Sequence, residues 1–155
     1  MPTTKSKIAV ASQSTSLSKA VYRNVSRLLD VREMTSESDL ASLVERRLPT
    51  RVINTLTKSG LDERALYELV IPRRTLEHRT KKRQPLTQDE SDKALRIARV
   101  VALATTVFED KKVAQRWLRD ADQFNGKSPL SKSATAAGAR QVEELLYQFY
   151  YGMFG

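Results

Sequence analysis

Residues 60–83 read Gly-Leu-Asp-Glu-Arg-Ala-Leu-Tyr-Glu-Leu-Val-Ile-Pro-Arg-Arg-Thr-Leu-Glu-His-Arg-Thr-Lys-Lys-Arg. Asp62 is placed to cap a helix whose apolar residues Ala65, Leu66, Leu69 and Val70 fall on one face. Ile71-Pro72 ends it, because the residue before a proline is driven out of helical angles while proline itself suits a helix start. A second helix is expected from Arg73, with Leu76 as its one apolar anchor and Gln84-Pro85 as its stop. Between Arg73 and Arg83 six residues are basic (Arg73, Arg74, Arg79, Lys81, Lys82, Arg83) and only Glu77 is acidic, so over half of the net charge of +9 lies in this stretch. Most charge runs are solvated faces. Here the preceding helix, the three-residue turn and the anchor give the arrangement in which a second helix enters the DNA major groove, and clustered cations are what counterion release from phosphates requires.

Position along the helix divides the candidates. Arg73, Arg74, Thr75, His78 and Arg79 lie towards the end where base edges are reached, and an arginine there can grip a guanine with two hydrogen bonds. Lys81, Lys82 and Arg83 lie further along and suit phosphates. Contact surfaces this short are normally used in pairs, so a homodimer on double-stranded DNA with a two-part operator is expected.

Outward from this core, Thr50 is a candidate cap for a helix carrying Val52, Ile53 and Leu56 that stops at Ser59-Gly60. Ser36 or Ser38 caps a helix bearing Leu40, Leu43 and Val44. Leu17, Val21, Val25, Leu28 and Leu29 recur at steps of three and four, forming the stripe of an amphipathic helix. These stripes need cover from the main domain or from a second copy of the chain, and the second copy is preferred. Residues 1–16 hold little to bury and read as a flexible tail.

On the other side, Thr87-Gln88-Asp89-Glu90 has the form of a capping box. The helix it starts runs to about Phe108, and its apolar residues cover more than one face. Asp110 caps the next helix, with Val113, Ala114, Trp117 and Leu118 inward, and Asn125-Gly126-Lys127-Ser128-Pro129 marks a loop. After Gly138 a last helix carries Val142, Leu145, Leu146 and Phe149, with Gly152 to end it. No alternating pattern rises above background, so the fold class is all-α.

Composition excludes several functions. The 155 residues are 40% apolar and 29% charged, enough for one ordinary core. The absence of cysteine removes disulfides and thiolate metal sites and fits a reducing cytoplasm. His78 is the single histidine and has no nucleophile or carboxylate partner at a telling spacing. No catalytic residues, metal ligands or cofactor are therefore assigned, and the chain is not read as an enzyme. Lys5 and Lys7 precede no apolar signal region, and no window approaches the roughly 18 apolar residues of a membrane span.

Half of the ten aromatic residues crowd the end of the chain as Tyr147, Phe149, Tyr150, Tyr151 and Phe154. One stripe of a terminal helix cannot bury them all together with Met153. Exposed tyrosine, phenylalanine and methionine are typical of interface cores, so this end is a candidate protein-binding surface.

Several segments, in order, resemble one known family. They are Ile71-Pro72-Arg73-Arg74-Thr75-Leu76, then Leu86-Thr87-Gln88-Asp89-Glu90-Ser91-Asp92-Lys93-Ala94-Leu95-Arg96-Ile97-Ala98, then Ala114-Gln115-Arg116-Trp117-Leu118, Asn125-Gly126-Lys127-Ser128-Pro129-Leu130 and Thr135-Ala136-Ala137-Gly138-Ala139-Arg140-Gln141-Val142-Glu143. From about Arg47 to Gly155 the chain resembles the Xre/MbcA/ParS antitoxins, partners of RES-domain toxins. It departs from them at Glu77-His78-Arg79, where a double arginine is usual, and at Phe124-Asn125, where a leucine is usual; residues 1–46 match no named family.

The resemblance implies an Xre-like helix-turn-helix region that represses its own operon, followed by a C-terminal helical domain that neutralises a toxin. RES toxins are similar to ADP-ribosyltransferases and use NAD, and the family's C-terminal end approaches the toxin's NAD pocket. Carried onto this chain, the toxin-binding residues are Tyr147, Tyr150, Tyr151, Gly152, Met153, Phe154 and Gly155. The expected organisation is a tail at 1–16, amphipathic helices with possible dimerisation at 17–48, a helix-turn-helix at 49–86 and a toxin-binding domain at 87–155. The alternatives are a stand-alone dimeric helix-turn-helix regulator and a basic RNA-binding protein. The latter lacks the aromatic-bearing sheet or glycine-loop modules that read single strands.

Overall fold

The long apolar helix decides the architecture. In the computed structural model, which describes residues 4–152 and the side chains of residues 16–152, the helices among the described residues are α1 (Thr4–Leu29), α2 (Glu37–Glu45), α3 (Arg51–Lys58), α4 (Glu63–Leu69), α5 (Arg73–Lys81), α6 (Gln88–Phe108), α7 (Lys111–Leu118), α8 (Pro129–Lys132) and α9 (Ala136–Tyr150). The one extended feature among them is an isolated bridge between Phe124 and Lys127. The chain is all-α, as its patterning predicts.

α6 starts where the capping box predicts. Glu90 N–H donates to the Thr87 hydroxyl at 3.1 Å, and Thr87 N–H donates to the Glu90 carboxylate at 2.8 Å. Its buried residues include Leu95, Ile97, Val100 and Leu103, with Ala94, Ala98, Ala102 and Ala104 among them. Large side chains fill the core while the alanines let neighbouring helices approach closely. α1, α7 and α9 all pack against α6.

The α1 stripe finds its cover inside the chain. Leu17, Val21, Val25 and Leu29 are buried on α6, and Asn24 donates to the Thr106 hydroxyl at 3.0 Å. The second copy preferred from the sequence is not needed for this stripe, because α6 has apolar surface on several sides and α1 takes one of them. Each of the four residues gains about 1.5–3 kcal/mol by this burial. α1 also begins earlier than its stripe, at Thr4. Residues 4–16, expected as tail, are helical, and no glycine or proline interrupts them.

Other local expectations resolve individually. Ser36, not Ser38, caps α2 by accepting from Asp39 N–H. Thr50 occupies the cap position of α3 without a side-chain bond, and backbone bonds to Pro49 and Thr50 carbonyls close that first turn instead. Gly60 ends α3 at φ +106, a conformation that favours glycine, and a Cβ there would displace the Gln115 amide, which lies 1.9 Å away. α8, capped by Ser128, lies where only a loop is expected. α9 starts before Gly138 rather than after it, capped by Thr135, which accepts from Gly138 N–H at 3.0 Å; a Cβ at Gly138 would come within 1.9 Å of the Lys132 carbonyl of α8, which accounts for a glycine inside the helix. Val113, expected inward, is 41% exposed; α7 buries Ala114 and Leu118 and half-buries Trp117.

Candidate functional site

Two surfaces stand out, and one core carries both. The first is α5. Val70 and Ile71 are buried and Pro72 sits extended at φ −59, ψ 144, which places Arg73 as the first residue of the helix. No α5 residue is fully buried, and Leu76 packs partly against the core. Arg73, Arg74, Glu77, His78 and Lys81 are exposed and share one outward face. Lys82 and Arg83 continue it past the end of the helix.

Three members of the predicted set need separate description. Arg73 Nε donates to Glu77 Oε1 at 2.9 Å in an exposed pair, and this bond holds the guanidinium further above its usual range. Thr75 is half-buried. Arg79 turns away from the outward face. Its side chain is 18% exposed, and Nε lies 3.3 Å from the Glu90 carboxylate, itself 12% exposed, although the N–H of Arg79 Nε has no well-directed acceptor. Arg79 thus bridges α5 to the capping box of α6. Placed with the base-reading candidates from the sequence, it is held by the fold instead.

The end of α5 is strained. Arg83 has φ +54, a left-handed angle unfavourable to a residue with a Cβ. Gln84 N–H reaches the Arg79 carbonyl at 2.9 Å and Arg83 N–H the Thr80 carbonyl at 3.2 Å, closing the helix in a Schellman arrangement. Beneath, Leu86 N–H donates to the Leu48 carbonyl at 2.9 Å, buried Leu48 N–H donates to Ser91 Oγ at 2.9 Å, and Arg47 Nε donates to the Leu86 carbonyl at 2.8 Å. These bonds join the entry to α3 and the exit from α5 to the start of α6.

The second surface is the end of α9. Phe149 belongs to an aromatic cluster with Phe108 and Trp117, with ring centroids 5.5–6.0 Å apart. Tyr147 and Tyr151 stack at 6.4 Å, and Tyr150 meets Tyr151 edge-on at 5.2 Å. Tyr151 is 39% exposed, while Tyr147 and Tyr150 are half-buried. Gly152, at φ +65, closes the helix. The structure brings Tyr147, Tyr150, Tyr151 and Gly152 together; Met153, Phe154 and Gly155 lie outside the described residues.

Beside Tyr147 lies a polar network that sequence patterning does not disclose. Arg99 on α6 donates from Nη1 to Glu37 Oε2 at 2.9 Å and from Nη2 to Glu37 Oε1, and its Nε lies 3.3 Å from Glu143 Oε1 on α9. Tyr22 of α1 donates to Glu37 at 3.0 Å. The hydrogen bonds from Arg99 hold the Glu37 carboxyl below its usual range, whereas burial pushes Glu143 and Tyr147 up. Arg99 and Glu37 are 62 residues apart, and no local spacing announces them.

Among the described residues no group of three or more His, Asp or Glu is placed to hold a metal ion, and no helix is long and apolar enough to cross a membrane.

Comparison with known proteins matches two successive parts of the chain to two family models. Residues 39–99 match the Antitoxin Xre-like helix-turn-helix domain, and residues 103–152 match the Antitoxin Xre/MbcA/ParS C-terminal toxin-binding domain. The curated protein "Antitoxin Xre" of Pseudomonas putida is 35% identical over 126 residues, covering 81% of this chain and 79% of that protein. That share is too large to be confined to residues 47–155, so the similarity extends into the N-terminal part that the sequence reading left unmatched.

Proposed function

We infer the function from the premise that this chain belongs to the Xre family of antitoxins, in which a helix-turn-helix precedes a toxin-binding domain. The chain is the antitoxin of a type II toxin-antitoxin pair in the cytoplasm. It binds a RES-domain toxin that consumes NAD, occludes that toxin's active site with its C-terminal end, and as a homodimer represses its own operon. One observation carries this reading: the part matching the helix-turn-helix exposes the cationic helix α5, and the part matching the toxin-binding domain ends in aromatic side chains that its own core covers only in part.

The roles follow from placement. Arg73, Arg74 and His78 face outward on the first turns of α5 and read base edges, while Lys81, Lys82 and Arg83 hold phosphates. Thr75 and Arg79 set the pose of the helix. Tyr147, Tyr150, Tyr151 and Gly152, continued by Met153, Phe154 and Gly155, form the inhibitory end. Inhibition is steric and needs no chemistry from this chain. An end segment tethered by the rest of the interface competes with the cofactor at a high effective concentration.

Co-expression with the protein encoded beside it, followed by purification through a tag on one partner, is expected to recover a tight complex and restore growth. Deleting residues 151–155 should leave folding and DNA binding intact and abolish the rescue. Recovery of this chain alone with an unaffected neighbour identifies a stand-alone dimeric regulator, and rescue by the truncated chain rules out occlusion by the tail.

A further inference from the structure

α7 carries a row of cations: Arg116 in its last turn and Arg119 at its C-cap suit the negative end of the helix dipole, and Arg119 Nε donates to the Gln115 carbonyl at 3.2 Å, but the cations of its first turn have no such support. Lys111 and Lys112 occupy its first turn, where no acidic residue is present and the positive end of the helix dipole repels them. Lys112 and Arg116 stand four residues apart and Arg116 and Arg119 three apart, so like charges stack along one face where a carboxylate would stabilise the helix. All three are exposed, and no ion pair among the described residues engages them. They share one shallow depression with Gln115 and Asp120. The Asp120 carboxylate is already occupied, accepting from Asp122 N–H at 2.9 Å and from Gln123 Nε2 at 3.1 Å.

The fold sets this ridge beside the helix-turn-helix. Gln115 Nε2 donates to the Ser59 carbonyl at 2.9 Å, clamping α7 to the turn between α3 and α4. Arg119 lines a cavity of about 140 Å³ with Gly60, Leu61 and Asp62 of that turn. The cavity falls well short of the roughly 300 Å³ at which small-molecule pockets begin. In a helix-turn-helix the first helix crosses the phosphate backbone while the second enters the groove; here α4 is the first, so the turn leading into it and the α7 ridge beside it lie on the backbone side.

We propose that Lys112, Arg116 and Arg119 form a second, sequence-independent contact surface for the phosphate backbone of duplex DNA, outside the α5 recognition face. The inference rests on the DNA-binding reading of α5. It extends the DNA footprint into the part of the chain that matches the toxin-binding domain. Charge selects the occupant: three cations without an ion pair, against the single carboxylate of Asp120, line this depression, and such a row fits a continuous polyanion.

The test compares the full chain with its K112Q/R116Q/R119Q variant on two duplexes, one spanning the region upstream of its own gene and one unrelated, across a salt series. Each lost phosphate contact removes about 0.9 from the slope of log affinity against log salt. The expected result is a slope shallower by about 2–3, both duplexes weakened by a similar factor of at least tenfold, an unchanged ratio between them, and unchanged toxin capture. The variant K112R/R116K/R119K retains the parent slope, and matching thermal melts exclude unfolding. If the parent binds DNA and the glutamine variant has the parent's affinity and slope, the ridge does not touch DNA, although the α5 reading stands. Loss of toxin capture at an unchanged slope makes the ridge a protein surface. A parent that binds neither duplex overturns the α5 reading and this inference together.

Discussion

Replacing Arg79 by methionine separates a structural role from a DNA-reading one. The substitution keeps most of the apolar stem and removes the charge that faces Glu90. With side chains 18% and 12% exposed, the pair lies between an exposed ion pair, worth about 0–1 kcal/mol, and a buried one, whose rupture costs about 3–5 kcal/mol. The poorly directed contact of Arg79 Nε draws the figure down, and Glu90 keeps its bond from Thr87 N–H. A loss of about 2 kcal/mol is expected. For a chain of this size that corresponds to a Tm about 4–8 °C lower. Thermal and urea unfolding read the loss, and operator affinity, measured well below the variant's Tm, should stay within about twofold of the parent. An unchanged Tm with a tenfold or greater loss of operator affinity would refute the assignment and return Arg79 to the base-reading face.

Ser91→Ala removes the acceptor for the buried Leu48 N–H, which then stands unsatisfied; a loss of about 1–3 kcal/mol is expected in urea unfolding. Arg83→Gly relieves the left-handed backbone at φ +54, so Tm should rise by an amount matching about 1 kcal/mol while operator affinity and its salt slope both fall. The Glu37 carboxyl is held below the ordinary glutamate value of 4.5 by Arg99, so its contribution to stability is present above pH 4.5 and is lost as pH falls through the lower folded value. Glu37→Gln should therefore flatten the acid limb of the Tm profile below pH 4.5. Burial raises Glu143, so its favourable contribution is present below 4.5 and is lost as pH rises through its folded value; Glu143→Gln should remove that decline.

What the sequence discloses depends on how locally each feature is determined. The Thr87–Glu90 capping box, the Asp110 cap, the Ile71-Pro72 turn and the Ser59-Gly60 stop each involve residues a few positions apart, and all are found where the pattern puts them. The orientation of Arg79 depends on where the start of α6 lies in space, and a row of cations on one helix does not reveal which of them turns inward. Arg99 is another such case: on its own helix it continues the polar positions of Asp92 and Arg96, and only packing by α2 and α9 makes it a junction. Gly138 looks like a helix boundary until the Lys132 carbonyl, brought close by α8, explains a glycine inside the first turn. The aromatic crowd at the chain's end is legible because too many large rings compete for one stripe, and the spacing puts Phe149 on that stripe, but it does not name Phe108 and Trp117 as the rings that Phe149 meets.

The two family matches meet between residues 99 and 103, inside a continuous buried helix. α6 begins at the bonds that hold α5 and ends at Phe108, in the cluster that holds Phe149. The helix-turn-helix and the toxin-binding domain therefore draw on one hydrophobic core. A cavity made at Leu103 or Ile97, both about 1% exposed, costs on the order of 2–5 kcal/mol wherever its effect is read. Such a change lowers both activities together. On the proposed roles, variants that separate them lie on the surface, at Arg74 or His78 for DNA binding and at Tyr151 for toxin binding. The Arg99 junction occupies the ground between, since it touches α2, α6 and α9 at once. A variant there that lowers one activity at unchanged Tm would mean that the shared helix transmits information as well as stability.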